Sequence, residues 1–202
     1  MKQALFALAF AAALPMSAQA SELSYSFVEL DYLNSHAALH DGPGGPSIDS
    51  EGYGLRGSFG FADKFYVSGS YANSDLDNPA SGIDNDKWNV GFGYHQTLND
   101  QADWFAELGY TKIDSNNAVV DDHFYDVSFG LRGSLSDRFE GTAKISYNDG
   151  ADLSGAIYPQ YDSAFSVTAG LKYNITEMWG IVGEIEAFED ATDYTVGVRA
   201  SF

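Results

Sequence analysis

The 202-residue sequence has no cysteine, five prolines, and only ten lysines and arginines against 29 aspartates and glutamates, for a formal net charge of −19. Each shortage excludes something. Without cysteine there is no disulfide framework, so the fold rests on hydrogen bonding and on its surroundings. So few basic residues exclude the basic stripe that nucleic-acid binding requires. After the N-terminal region no run of about 18 apolar residues occurs, which excludes helical membrane spans and leaves strand spans open.

The N-terminal region reads as a targeting segment. Met1 and Lys2 give a positive start, and ALFALAFAAAL over 4–14 is apolar but too short to span a bilayer as a helix. Ala18-Gln19-Ala20 is a small-x-small cleavage site. The expectation is a secretory signal peptide over 1–20 and a single domain over 21–202.

What the chain does have is alternation. Val28, Leu30 and Tyr32 alternate with Glu29 and Asp31, and Tyr125, Val127, Phe129 and Leu131 with Asp126, Ser128, Gly130 and Arg132. Tyr194, Val196, Val198, Ala200 and Phe202 oppose Thr195, Gly197, Arg199 and Ser201. Ten segments share this period of two, which is that of a β-strand with two unlike faces. The polar parity is rich in Gly and Ser, suited to a crowded lumen, while the apolar parity carries Tyr, Trp and Phe at segment ends, as interfacial girdles do. The predicted fold is all-β: a transmembrane antiparallel up-and-down barrel of about ten strands, with eight as the alternative. Tyr25, Phe27, Tyr66, Phe105, Val182 and Phe188 break the parity and are expected at the rim or packed in the lumen.

Short connections (62–64, 96–102, 136–138, 174–177) alternate with longer ones rich in Gly, Pro, Asn and Asp (34–50, 73–84, 114–122, 148–162). This predicts short turns and both termini in the periplasm, longer loops outside the cell, and a place in the bacterial outer membrane.

The polar parity carries a set of charges expected inside the barrel: Glu29, Asp31, Glu107, Asp126, Glu140, Glu184 and Glu186 against Arg56, Lys87, Arg132, Lys144, Lys172 and Arg199. Buried ions must pair, so a charge-plugged lumen of low conductance is predicted, with Arg132 and Arg199 bridging carboxylates bidentately. The excess of acid is expected in the outer loops, where Glu189, Asp190 and Asp193 form the last group.

Chemistry is harder to find. GYGLRG over 52–57 lies within a strand, so no helix N-terminus faces a phosphate. His36 and His40 share a loop with Asp41 and Asp49, and His123 follows Asp121 and Asp122. Such pairs suit general base catalysis, but no nucleophile with a fixed neighbour accompanies them, and no enzyme is predicted. NDGADLSG over 148–155 offers Asp149 and Asp152 as metal candidates without the regular calcium-loop frame. No cofactor is expected beyond divalent cations held loosely at the acidic loops, through which the loops would meet lipopolysaccharide.

Five stretches carry a resemblance. SYSFVELDY, GYGLRGSFG, FYVSGSY, DKWNVGFGY and VGVRASF are similar to the small bacterial outer-membrane proteins first described as activators of plant XA-type immunity. The resemblance implies an outer-membrane barrel and brings no catalytic residues. VGVRASF, which carries the apolar alternation of Tyr194 on through Val196 and Val198 to a terminal Phe202, also resembles the signal read by the barrel-assembly machinery, which makes that machinery an expected partner. The functional expectation is a structural or surface-interaction role. A small-solute channel is the alternative, and a rim enzyme acting on lipid A or peptides stands third.

Overall fold

The computed structural model describes residues 23–38, 47–76, 84–115, 121–149, 165–188 and 191–202. The expected signal peptide over 1–20 lies outside the described residues. The described chain forms ten strands: β1 (Phe27–Ala38), β2 (Ser47–Phe61), β3 (Phe65–Leu76), β4 (Asp84–Asn99), β5 (Ala102–Ser115), β6 (Asp121–Ser136), β7 (Phe139–Asp149), β8 (Phe165–Asn174), β9 (Trp179–Ala187) and β10 (Ala191–Ser201). They close into one antiparallel barrel in which each strand pairs with its sequence neighbours and β1 pairs with β10. The closing seam runs from Phe27 opposite Ser201 to Ala37 opposite Ala191. Ten strands, not eight, make the wall. Closure leaves no sheet edge, and within a bilayer an open edge would leave amides without partners.

Alternation sets the two faces. On β1, Leu30 is 66% exposed while its neighbour Glu29 is 0% exposed. The outward side chains form two aromatic belts. Tyr32, Tyr53, Tyr71, Trp88, Tyr110 and Tyr125 make one, in which ring contacts join Tyr32 to Tyr53 and Trp88 through Tyr110 to Tyr125, and Phe61, Phe65, Phe92, Tyr94, Trp104 and Phe129 make the other, linked by ring contacts along its length. Aliphatic residues such as Leu30, Leu55, Val127 and Val198 fill the band between them and are about half or more in contact with the surroundings. Only lipid makes such a face favourable. Replacing Leu30 by arginine should cost about 2–4 kcal/mol of stability in a bilayer. Equilibrium unfolding in lipid vesicles reads this, and a cost near zero would remove Leu30 from the apolar band.

One end of the barrel carries the short turns together with Ser24 and Phe202, where the Ser24 hydroxyl donates to the Phe202 carbonyl at 2.9 Å. At the turn joining β2 to β3, Ala62 and Asp63 have φ of 49° and 60°. Aspartate tolerates that left-handed region, but alanine is strained there. The opposite, far end differs from the sequence expectation. Strands reach deep into segments expected to be loops: His36, Asp49, Asp75, Asp114 and Asp149 all stand on strands. The last connection is confined to 188–190. Asp193 belongs to β10, not to the outer loop assigned to it, and faces inward to accept a hydrogen bond from the Ser35 hydroxyl. Apolar periodicity fades where water wets both faces of a sheet, so a strand can continue past the point where its pattern stops.

The inward glycines have a packing role. Tyr66 sits directly across from Gly93, and a Cβ there would lie 2.0 Å from the Tyr66 ring. Phe105 covers Gly130 in the same way, with its ring 2.4 Å from the position of a Cβ. Each large inward side chain thus lies flat over a cross-strand glycine, which lets it fit a narrow lumen.

Candidate functional site: the barrel lumen

The lumen has three levels. At the short-turn end, the segment before β1 folds into the bore. Tyr25 stacks on His95 with ring centroids 3.8 Å apart and on Tyr66 at 5.0 Å. The Arg132 guanidinium lies over the Tyr25 ring at 5.2 Å and donates to the Ser24 carbonyl at 2.7 Å. Arg132 also pairs with Glu140 at 2.8 Å, and Glu140 in turn pairs with Lys172 at 2.8 Å. Asn174 donates to Glu140 at 3.1 Å, so this carboxylate accepts from three side chains. Asp103 faces His95 at 3.2 Å. Together these groups fill the bore at this level.

The middle level is organised by Arg56. Its guanidinium reaches Glu29 at 2.7 Å, Asp31 at 3.3 Å and Glu184 at 3.2 Å. Arg199 forms the second partner of Glu29 and lies over the Phe27 ring at 4.0 Å. The bridging role expected of Arg132 and Arg199 therefore falls to Arg56, while Arg132 divides its donors between one carboxylate and one backbone carbonyl.

Toward the far end the lumen opens. Ser68 donates to Glu107 at 3.1 Å, Ser128 to Asp126 at 3.3 Å, and Ser166 to Glu186 at 2.6 Å. Lys144 stands within electrostatic reach of Glu107, Asp126, Glu184 and Glu186, and Lys87 within reach of Asp126 and Asp193. A cavity of about 400 Å³ runs from Tyr25, Tyr66 and Arg132 past Arg56 to this level, where Ile113, Phe124 and Phe188 border it. The charges do not fill the whole bore, as a complete plug would require.

All thirteen expected lumen charges lie on the inward face, on strands β1, β2 and β4 to β10. Sequence reading does not single out Asp103, His95 or Ser24 for the lumen. Asp103 shares the parity of Glu107, and His95 that of the inward glycines 91 and 93. Parity alone would have placed both. Of the misfit residues, Tyr25, Tyr66, Phe105, Val182 and Phe188 are all buried.

The remaining candidates sit elsewhere. His36 and Asp49 pair on the outward wall with side chains 54% and 49% exposed, an open surface rather than a pocket. Asp86, also outward, accepts from the Tyr71 hydroxyl and from Asn73. Asp149 is exposed at the end of β7, while Asp152 and His40 lie outside the described residues. Among the described residues no group of three or more histidines and carboxylates is arranged to hold a metal ion. Tyr194, Val196, Val198 and Phe202 line one outward stripe of β10 and its end.

A closed ten-strand antiparallel barrel, apolar outside and polar inside, is a membrane-spanning β-barrel. Residues 60–202 match the outer membrane protein beta-barrel domain model, and the chain belongs to that family of outer-membrane barrels. Its architecture is similar to an outer-membrane channel from Pseudomonas putida F1, at 10% identity and a TM-score of 0.52, covering 93% of this chain and 99% of that one. The translocator domain of the autotransporter NalP from Neisseria meningitidis is alike at 11% identity and a TM-score of 0.51, covering 100% and 95%. The KdgM porin aligns at 13% identity with a TM-score of 0.46, covering 86% and 99%. Identities this low speak for the fold alone. No curated protein matches the sequence.

Proposed function

We propose that this barrel is a structural, surface-presenting protein with a closed bore, oriented with its short turns in the periplasm and its far end outside the cell. It has no catalytic role in this reading. The observation that carries it is the packing of Tyr25, Tyr66, His95, Arg132, Glu140 and Lys172 across the short-turn end. Ten strands lie near the filled end of the barrel series, far from the 16–18 of open porins. In a planar bilayer the purified protein should show little conductance. Large, stable, voltage-independent currents would sink this reading and promote the small-solute channel, which the far-end cavity favours. The likeness of SYSFVELDY and VGVRASF to the plant XA-type immunity activators belongs to the same proposal.

The outward carboxylates at the far end, beyond the belt of Tyr32, Tyr53 and Tyr71, are Asp49, Asp75, Asp84 and Asp149, and they supply the surface chemistry. Lipopolysaccharide phosphates repel them unless divalent cations bridge the two, so the partner is lipopolysaccharide held through such ions. Thermal unfolding in lipopolysaccharide should shift to lower temperature when a chelator is added, and an unchanged midpoint would remove this partner.

A further inference from the structure

Above the packed short-turn end, the cavity of about 400 Å³ has two unlike walls. Gly54, Ser70 and Ala72 of β2 and β3 make one, with side chains small enough to leave the space open. Asp126, Lys144, Glu184 and Glu186 lie across from them. The volume falls within the roughly 300–1,000 Å³ of small-molecule pockets.

Charge around this space does not balance. Lys144 serves four carboxylates, Glu107, Asp126, Glu184 and Glu186. Arg56 is already divided among Glu29, Asp31 and Glu184. After Lys2 every lysine and arginine lies within the described residues: Lys87 stands within reach of Asp126 and Asp193, and the other inward ones are engaged lower down with Glu140 and Glu29, so Lys144 and Lys87 face more carboxylates than they can neutralise. Glu186 and Asp193 stand directly opposite each other across β9 and β10, an arrangement in which like charges repel. One buried oxygen at the cavity wall also lacks a hydrogen-bond partner: Oγ1 of Thr168, a residue 1% exposed. A buried acceptor left without a donor is unfavourable.

We propose that the cavity is a binding site for a small aliphatic di- or polyamine. The missing element is positive charge delivered by N–H donors at several levels of the bore. An ammonium group brings three donors and no acceptor. A flexible chain with ammonium groups a few bonds apart reaches separate carboxylates, and its methylenes lie against Gly54 and Ala72. A bare divalent ion fits less well, because these carboxylates are spread along the wall instead of converging. The closed short-turn end is the floor of the site, so the inference rests on that reading for its depth. Conductance reports the floor and binding reports the site, so the two fail separately.

The test is calorimetric titration of the refolded protein with spermidine in detergent at fixed ionic strength. Saturable binding is expected, weakened tenfold or more by Glu186→Gln and by Asp126→Asn and changed less than twofold by the outward Asp49→Asn. Both luminal substitutions remove charge from a like-charged wall, and heat-dependent gel mobility identifies which of them is folded; either one suffices. No saturable binding by the unaltered protein would overturn the proposal. So would loss of binding in Asp49→Asn with retention in the luminal variants, or equal binding of magnesium at matched charge.

Discussion

Replacing Arg132 by alanine should lower the unfolding free energy by about 3 kcal/mol, the scale on which a buried ion pair loses one partner, and should raise conductance across the barrel. Both side chains of the Arg132–Glu140 pair are only 7% exposed, so solvent offers little compensation. Arg132 does more than balance charge. It holds the Ser24 carbonyl and covers the Tyr25 ring, so its loss frees the segment that closes the bore. Arg132→Lys keeps the charge but cannot make all three contacts from one ammonium, and should fall between. Unfolding in lipid vesicles and single-channel recording together read the outcome. An alanine variant with stability within about 1 kcal/mol of the parent and an unchanged current would show that Arg132 is not what closes the bore.

Glu29→Leu should be comparably severe, at roughly 3–5 kcal/mol, because it leaves the Arg199 guanidinium buried without its carboxylate. Arg56 retains Asp31 and Glu184 after the change, but Arg199 keeps only the face of Phe27. The informative comparison is the double variant Glu29→Leu with Arg199→Leu. Replacing a buried pair by apolar groups of similar volume is often neutral, so most of the loss should return. If the double variant is as unstable as the sum of the two singles, the pair is not energetically coupled and the Arg199 contact has been over-read.

Strand identity and face were legible because the two solvents of this protein are so different. Lipid outside and a crowded polar bore inside force the alternation of Leu30 with Glu29 and of Val127 with Asp126, and that alternation can be read without coordinates. The signal ended where lipid ended. Beyond the upper belt, Asn34 and His36 point outward and Ser35 inward, and a polar–polar alternation carries no period. The sequence pattern therefore makes the strands shorter than they are and assigns Asp193 to a loop. Within the bore, parity named the charges but not their pairing. Arg56 meets Glu184 across the lumen, a contact between β2 and β9, which are not neighbours in the sheet. Pairing across a bore depends on stagger and on side-chain reach. Neither is written in a single strand.

The seam between β1 and β10 has a consequence for the order of events in folding. Every other strand pair joins sequence neighbours, but Glu29 and Arg199 meet across 170 residues. Closing so long a loop is entropically costly and kinetically slow, whereas hairpins form from local contacts. The hairpins must form first and the seam last. Until then β1 presents a row of unpaired amides, and the acid and the guanidinium of the seam are each without the other. A half-built barrel with two open edges is the species most exposed to aggregation, and its lifetime is set by how soon β10 finds β1.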